Sequence, residues 1–238
     1  MFDTNSSTGT YIQNLKNLNH ARLGCAPNEL TIKSYALSKN GVHIYIGNLI
    51  EPLCEWILKA DVVVGCVAWM THSVVLEALA NTSCQIIVQK EDWLRPDSDN
   101  SFERLREQYS ALNSNMINFE YNLSTGSYFN IEAVRCVGMH NHSRSPAFPR
   151  MHHKFLVFCR SEPAEEEWGL PRRCPFAVWT GSFNITNNGT NSRENAVVIE
   201  DEDIATTYYN EWMQMLFLSE SLDWQHIWVA PQFRYNQT

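Results

Sequence analysis

The segment Asp61–Met70 is a continuous apolar run in which β-branched residues are frequent. Such a run is typical of a strand that is buried on both faces, as in a sheet with helices on either side. Thr71 can cap a helix that follows directly, and Cys84–Lys90 then returns as a strand. This β-α-β order predicts a parallel strand pair with a right-handed crossover, and it indicates the α/β class.

Other periodic segments extend this pattern towards both ends of the chain. Strands are predicted at Leu30–Ser38, Val42–Gly47, Ile131–Gly138, Phe155–Cys159, Phe176–Thr180 and Asn195–Glu200. Helices are predicted at Glu51–Ala60, after a capping box of Asn100 and Glu103, and after Asp203. Residues 1–30 show little periodicity and are predicted to be an N-terminal extension, which leaves residues 31–238 as a single domain.

Composition narrows the class of protein. Of the 238 residues, 44% are hydrophobic and 12% aromatic, which is enough for a sizeable core. No apolar run approaches the roughly 18 residues that a membrane-spanning helix needs, and the polar N-terminus lacks the features of a signal peptide. The seven cysteines include no CxxC pair, which favours reduced core cysteines over disulfides or a zinc site. We therefore expect a soluble, cytoplasmic protein without stable membrane association.

The charge is unevenly distributed along the chain. The net charge is −8, yet residues 133–160 contain no acidic side chain. Five cations lie in that window: Arg135, Arg144, Arg150, Lys154 and Arg160. A local positive patch on an acidic protein can steer a phosphate ligand. The same composition also fits a solvated basic loop beside the acidic residues that follow, and charge alone leaves both interpretations open.

Side chains that can act on a phosphate lie at the end of this basic segment and downstream of it. His152 and Lys154 are two residues apart on a predicted strand, so they project to the same side, while His153 points away. A neutral imidazole can attack phosphorus and form a covalent phosphohistidine, and an ammonium can hold the non-bridging oxygens. Ser182 and Asn184 can donate to the same phosphate. No metal or other cofactor is required for this chemistry.

Two further roles complete the predicted site. Glu194 can accept a hydrogen bond from the second ring nitrogen of His152, which would fix its tautomer and raise its nucleophilicity. The leaving oxygen also needs a general acid, and the chain has only one His-x-Lys segment. The simplest source of a second imidazole is His152 of a two-fold-related subunit. The sequence therefore predicts a homodimer with the active site at its interface.

Each of these patterns recurs by chance, but their joint order resembles the phospholipase D superfamily. The resemblance rests on His152–Lys154, Gly181–Asn184 and Glu194–Asn195. It is close over residues 151–217 and follows element order alone over residues 42–138. It implies an α/β/α sandwich with a mixed, largely parallel sheet, and metal-independent phosphodiester cleavage. It also implies that His152 is the nucleophile, that Lys154, Ser182 and Asn184 bind phosphate, and that Glu194 orients His152.

The chain departs from the family pattern in two places. Cys159 stands where the family has an aspartate. It is interpreted either as a buried structural residue or as a sign that the site is altered. An altered site would be impaired, or another carboxylate such as Glu162 would replace the aspartate. The segment Arg160–Pro175 is longer than expected and is interpreted as a surface insertion or as a lid over the site. His140 and His142 have the spacing of metal ligands, but the preferred interpretation is that they line the loop leading into the site or are solvated.

The leading functional hypothesis is a dimeric nuclease that acts on DNA or RNA. A phospholipid hydrolase or transferase is the first alternative, and a non-catalytic interaction protein that retains the fold is the second, motivated by Cys159. Four tryptophans are predicted to pack in the core or at an interface rather than to stack on bases: Trp179, Trp212, Trp224 and Trp228.

Overall fold

A computed structural model describes residues 34–95, 102–115, 118–122, 127–141, 143, 145, 148–163 and 171–224. The strands are β1 (Ser34–Leu37), β2 (Val42–Ile46), β3 (Val62–Val67), β4 (Ser83–Gln89), β5 (Asn118–Asn122), β6 (Ser127–Asn130), β7 (Val134–Val137), β8 (Lys154–Glu162), β9 (Arg172–Gly181) and β10 (Asn195–Ile199). The helices are α1 (Ile50–Leu58), α2 (Ser73–Ala80), α3 (Glu103–Ser110), α4 (Asn187–Thr190) and α5 (Glu202–Phe217). The predicted N-terminal extension, residues 1–30, lies outside the described residues.

Eight of these strands form one mixed sheet in the order β1-β2-β10-β9-β8-β3-β4-β7. The pairs β3–β4 and β4–β7 are parallel, which confirms the predicted β-α-β unit around α2. The other five neighbouring pairs are antiparallel, so the prediction of a largely parallel sheet was wrong in that detail. Two of these pairs, β1–β2 and β8–β9, join consecutive strands linked by fewer than ten residues, which is too few for the crossover that a parallel pair needs.

Helices cover both faces of the sheet, as the α/β/α prediction requires. On one face, α1, α2 and α3 bury a cluster that includes Val63 and Val67 of β3. On the other face, α5 packs through Trp212 on a second cluster that includes Val62 and Val64 of the same strand. Successive strand residues point to opposite faces, so β3, which is buried on both faces, is apolar along its length.

Several element boundaries differ from the predictions. The N-cap of α2 is His72 rather than Thr71, and its side chain makes no capping hydrogen bond. Helix α5 is capped by Asp201, which accepts from the backbone N–H of Ile204 at 2.9 Å, and not by Asp203. Strands β5 and β6 form a separate two-stranded sheet that was not predicted. The proposed capping residue Asn100 lies outside the described residues.

The segment predicted as an insertion at residues 160–175 is partly regular structure. Strands β8 and β9 stay paired as far as Glu162 opposite Arg172, and the two side chains form an exposed ion pair at 2.5 Å. This ladder runs away from His152, so the described flanks of the segment do not cover the site. Its central residues, 164–170, lie outside the described residues.

Most of the described cysteines lie in the core, as the sequence predicts. The described cysteines are all free thiols, and Cys66, Cys84, Cys136 and Cys159 are buried. Across the described part of the chain, no helix is both long enough and apolar enough to cross a membrane.

Candidate active site

The predicted site residues lie at one end of the sheet, where β3 and β9 end and β8 and β10 begin. Lys154, the first residue of β8, pairs with Val67 at the end of β3. Gly181, the last residue of β9, pairs with Ala196 of β10. A Cβ at Gly181 would lie 2.3 Å from the carbonyl oxygen of Asn195, so only glycine permits this close approach. The glycine of the Gly-Ser-x-Asn motif therefore brings two site segments together.

His152 and Lys154 are in direct contact. The ammonium Nζ of Lys154 lies 3.1 Å from Nε2 and 3.2 Å from Nδ1 of His152, and it also donates to the His152 carbonyl oxygen at 3.1 Å. The two side chains are therefore on the same side of the chain, as strand periodicity predicts. The predicted nucleophile and a positively charged side chain therefore lie close enough for one phosphate group to contact both.

The surroundings of His152 favour the neutral form of its imidazole. Partial burial lowers the pKa of His152 below its ordinary value of 6.5, and the positive charges of Lys154 and Arg150 lower it further. Burial also lowers the pKa of Lys154, while the nearby Glu194 carboxylate opposes that shift. A neutral ring has the free lone pair that nucleophilic attack requires.

His153 faces the other way. Its Nε2 lies 3.1 Å from Oε1 of Glu211 on α5, and its ring makes an edge contact with Phe155 at 5.5 Å. It is thus outside the group formed by His152 and Lys154, and it offers a natural comparison for substitution experiments.

Ser182 and Glu194 form the second half of the site. The Ser182 hydroxyl donates to the Glu194 carboxylate and accepts the backbone N–H of Asn195 at 3.2 Å. The single hydroxyl proton is committed to Glu194, so Ser182 can donate to a phosphate only when it releases that carboxylate. Among the described residues Glu194 makes no hydrogen bond to His152, and its role in orienting His152 remains a prediction.

Asn184 and Trp69 lie between His152 and a neighbouring cleft. The Asn184 side chain lines this cleft, and its Oδ1 is buried without a hydrogen-bond partner in the described structure. The Trp69 ring meets His152 edge-on at 5.4 Å and also lines the cleft. Sequence reasoning missed Trp69 because it lies within the apolar run Asp61–Met70 and looked like core.

Gln89 holds the segment that carries His152, and it was also missed. Its side-chain oxygen accepts from the backbone N–H of Met151 at 2.8 Å, and its nitrogen donates to the carbonyl of Met139 at 3.1 Å. Gly138 has a φ of +87°, and a Cβ there would lie 2.6 Å from that same Gln89 oxygen. The available signal was a glutamine within the predicted strand Cys84–Lys90.

The positive patch predicted from residues 133–160 is smaller than its composition suggests. Arg135 is buried and donates to the hydroxyl of Ser219 at 2.8 Å. Arg160 lies towards the far end of β8, where it donates to the Lys59 carbonyl. Arg150 remains near the site, with its guanidinium 5.6 Å from the centre of the Trp69 ring. Together with Lys154 it supplies the positive charge beside His152, and Arg144 lies outside the described residues.

Cys159 is a core residue at a distance from this chemistry. Its side chain is fully buried in the cluster under α5, and burial raises the pKa of its thiol to about 12. A neutral, buried thiol is neither a nucleophile nor a replacement for a carboxylate. This supports the interpretation of Cys159 as structural, and the paired, exposed Glu162 offers no substitute near His152.

The remaining candidates also have structural partners. His140 lies 2.9 Å from Asp92 through Nε2 and 5.3 Å from the Trp224 ring. In the described residues no group of three or more His, Cys, Asp or Glu side chains is arranged to hold a metal ion, and His142 is outside them. Trp179, Trp212 and Trp224 are buried, as predicted, and Trp228 lies outside the described residues.

The chain belongs to the phospholipase D superfamily. Residues 66–216, more than half of the chain, match the family model described as "Cardiolipin synthase, PLD-like domain". This confirms the resemblance inferred from the three motifs.

Individual proteins extend the comparison. An uncharacterized protein of Acanthamoeba polyphaga mimivirus is 29% identical over 206 residues, covering 79% of this chain and 70% of that protein. NucT from Helicobacter pylori has a similar fold, with a TM-score of 0.50 and 12% identity over 76% of this chain and 98% of NucT. Nuc from Salmonella typhimurium, a phospholipase D family member, aligns with a TM-score of 0.43 and 17% identity, over 75% of this chain and 97% of Nuc.

Proposed function

We propose that this chain is a metal-independent phosphodiesterase, and specifically a homodimeric nuclease that cleaves DNA or RNA through a phosphohistidine. The observation that carries the proposal is the contact of Lys154 Nζ with His152, at 3.1 Å from Nε2, where burial and nearby cations also lower the pKa of the ring. Membership of the phospholipase D superfamily supports phosphodiesterase-type chemistry.

The first step is attack of a neutral His152 ring nitrogen on phosphorus. A P–N bond forms and the P–O bond to the leaving group breaks, and the leaving oxygen takes a proton from a general acid. Lys154 balances the charge on the non-bridging oxygens, and Asn184 donates from its amide. In the second step water attacks phosphorus and gives a proton to the imidazole that acted as the acid, the P–N bond breaks, and both histidines return to their starting states.

The general acid is assigned to His152 of the partner subunit. The chain has no second His-x-Lys segment. The nearest other imidazole in sequence, His153, is turned towards Glu211 and cannot serve the same phosphate. A two-fold axis beside His152 would supply one nucleophile and one acid to a single site, and it would place a Glu194 from each subunit near the imidazoles they are proposed to orient.

A nuclease assay tests the activity. Wild type, His152→Ala and His153→Ala are incubated in EDTA with single- and double-stranded DNA and RNA. We expect cleavage by wild type and His153→Ala, and a loss of roughly 10³-fold or more in His152→Ala. A labelled phosphoenzyme trapped by alkaline quenching should appear in wild type and His153→Ala and be absent from His152→Ala. Turnover of phospholipid vesicles without nucleic-acid cleavage would point to a lipid enzyme, and no turnover of either would point to a binding protein.

Oligomeric state needs its own measurement. We expect light scattering to show a dimer, and specific activity to fall on dilution below the dissociation constant of that dimer. A chain that is monomeric and fully active at high dilution would overturn the shared site, while leaving the roles of His152 and Lys154 intact.

A further inference from the structure

A cleft of about 390 Å³ lies beside the catalytic segment. Two tryptophans, Trp69 and Trp93, line it together with side chains of threonine and asparagine, among them Asn184, Asn187 and Asn188. Among the described residues that line it, none is charged. The volume is within the range of roughly 300–1,000 Å³ that small organic ligands occupy. The cleft therefore offers aromatic faces and amide groups to a neutral, planar or polar group.

Two residues that line the cleft, Trp69 and Asn184, also belong to the surroundings of the proposed catalytic site. Trp69 touches the His152 ring at 5.4 Å, and Asn184 is a proposed phosphate ligand. A group bound in the cleft would consequently be joined to the reacting phosphate through only a few bonds. This position is the one that the sugar and base next to a scissile phosphate would occupy.

Both tryptophan rings are held in place before any ligand binds. The indole nitrogen of Trp69 donates to Oε1 of Glu91 at 3.1 Å. The Trp93 ring lies 5.4 Å from Phe102 at an interplanar angle of 33°. Rings that are already fixed lose little conformational freedom when a flat ligand stacks on them, which favours binding.

The chemistry of the cleft fits a nucleobase better than a lipid headgroup. A base has a π-face for stacking on tryptophan, and an edge of donors and acceptors that asparagine amides can read. A quaternary ammonium could also lie against the rings. However, it has neither donor nor acceptor for Asn187 and Asn188, and no carboxylate lines the cleft among the described residues.

We propose that this cleft is a subsite for the unpaired base attached to the scissile phosphate, and that single-stranded nucleic acid is the substrate class. In a duplex the faces of a base are covered by its neighbours and its edge is used in pairing, so a paired base cannot enter. The inference rests on the proposed nuclease function, because it assumes that the phosphate at His152 belongs to a nucleic acid.

Equilibrium binding tests the subsite separately from catalysis. His152→Ala, which retains the cleft, is titrated with a fluorescent single-stranded oligonucleotide, the same strand with one abasic position, and the corresponding duplex. Adding Trp93→Ala to this background should weaken single-strand binding roughly 10- to 100-fold, since stacking on one aromatic ring contributes that much. Trp93→Phe should restore most of the loss, and duplex binding should be weak throughout.

A matched asparagine pair tests the polar wall. Asn188→Ala removes a cleft amide, and Asn191→Ala removes an exposed one just beyond α4 that does not line the cleft. Only the first should reduce the preference for an intact base over an abasic position. Equal binding of intact and abasic strands, or no effect of Trp93→Ala, would overturn the base subsite even if wild type cleaves nucleic acid. Cleavage of vesicles alone, with no binding to any strand, would overturn the subsite and the nuclease proposal together.

Discussion

The side-chain oxygen of Gln89 accepts a 2.8 Å hydrogen bond from the backbone N–H of Met151, the residue before His152. This bond links the end of β4 to the start of the catalytic segment. The chain also contains a matched residue, Gln85, which is buried four positions earlier on β4 and accepts from the indole nitrogen of Trp212 at 2.6 Å. Comparing the two glutamines distinguishes the effect of a buried hydrogen bond near the site from that of a similar bond away from it.

Replacing these glutamines should separate positioning from stability. Gln89→Met and Gln85→Met each leave polar groups without a buried partner, so each should lower the free energy of unfolding by about 1–3 kcal/mol. Only Gln89→Met should also lower kcat, because only that bond holds the segment of His152. Chemical denaturation and steady-state kinetics on the folded variants provide the measurement. Equal losses of kcat in both variants would contradict the positioning role of Gln89.

The pH profile should show the lowered pKa of His152. The proposed nucleophile must be neutral and the proposed acid, His152 of the partner subunit, must be protonated, so kcat/KM should pass through a maximum with pH. The rising limb reports the nucleophile and should be centred below 6.5. Arg150→Gln removes one of the charges that lower this pKa, so the rise should move to higher pH. Arg150→Lys keeps the charge, and Arg160→Gln removes a charge far along β8, so neither should move it. A rise centred above 6.5 in wild type would contradict the described surroundings of His152.

Cys159 should be dispensable for catalysis. Its thiol is buried and neutral in the cluster under α5, so Cys159→Ala should leave kcat/KM close to the wild-type value. The small cavity should reduce the free energy of unfolding by about 1 kcal/mol. Kinetics at a temperature where both proteins are folded checks this, with Lys154→Ala as the inactive reference. A folded but inactive Cys159→Ala would show that this position acts on the site.

The ion pair of Lys90 and Glu220 should matter for stability because it is buried. Lys90 is fully buried and Glu220 nearly so, and the ammonium also lies 4.4 Å from the centre of the Trp224 ring. Glu220→Ala takes the carboxylate away from a buried charge and should cost about 3–5 kcal/mol of unfolding free energy. Lys90→Met combined with Glu220→Leu should cost less than Glu220→Ala alone. The exposed Glu162, paired with Arg172, gives the comparison, since Glu162→Ala should change stability little.

Strand periodicity was the reliable part of the sequence-based prediction. It placed His152 and Lys154 on one side and His153 on the other, because side-chain direction along a strand depends only on position. The buried strands β3 and β4 were also predicted, β3 from its continuous apolar run and β4 from its place after the helix that follows that run.

The failures concern contacts between segments far apart in the chain. Arg135 was counted as surface charge because its partner Ser219 is contributed by the segment after α5. Trp69 was read as core, since its neighbours in sequence are apolar while its neighbours in space are His152 and Arg150. The Ser182–Glu194 bond depends on how two loops meet, which no local pattern specifies. Local rules thus predict the direction of a side chain, but not the partner it finds.

The position of β2 has a consequence for how the protein is made. Ile44 of β2 pairs with Val197 of β10, so an N-terminal hairpin completes its pairing only with a strand encoded near the other end of the chain. At a synthesis rate of roughly 5–20 residues per second, the hairpin waits on the order of ten seconds for that partner. Until then the β10-facing edge of β2, including Ile44, stays unpaired and can pair with other nascent chains made from the same messenger RNA. Newly made protein should therefore depend on chaperones more than its final stability would suggest.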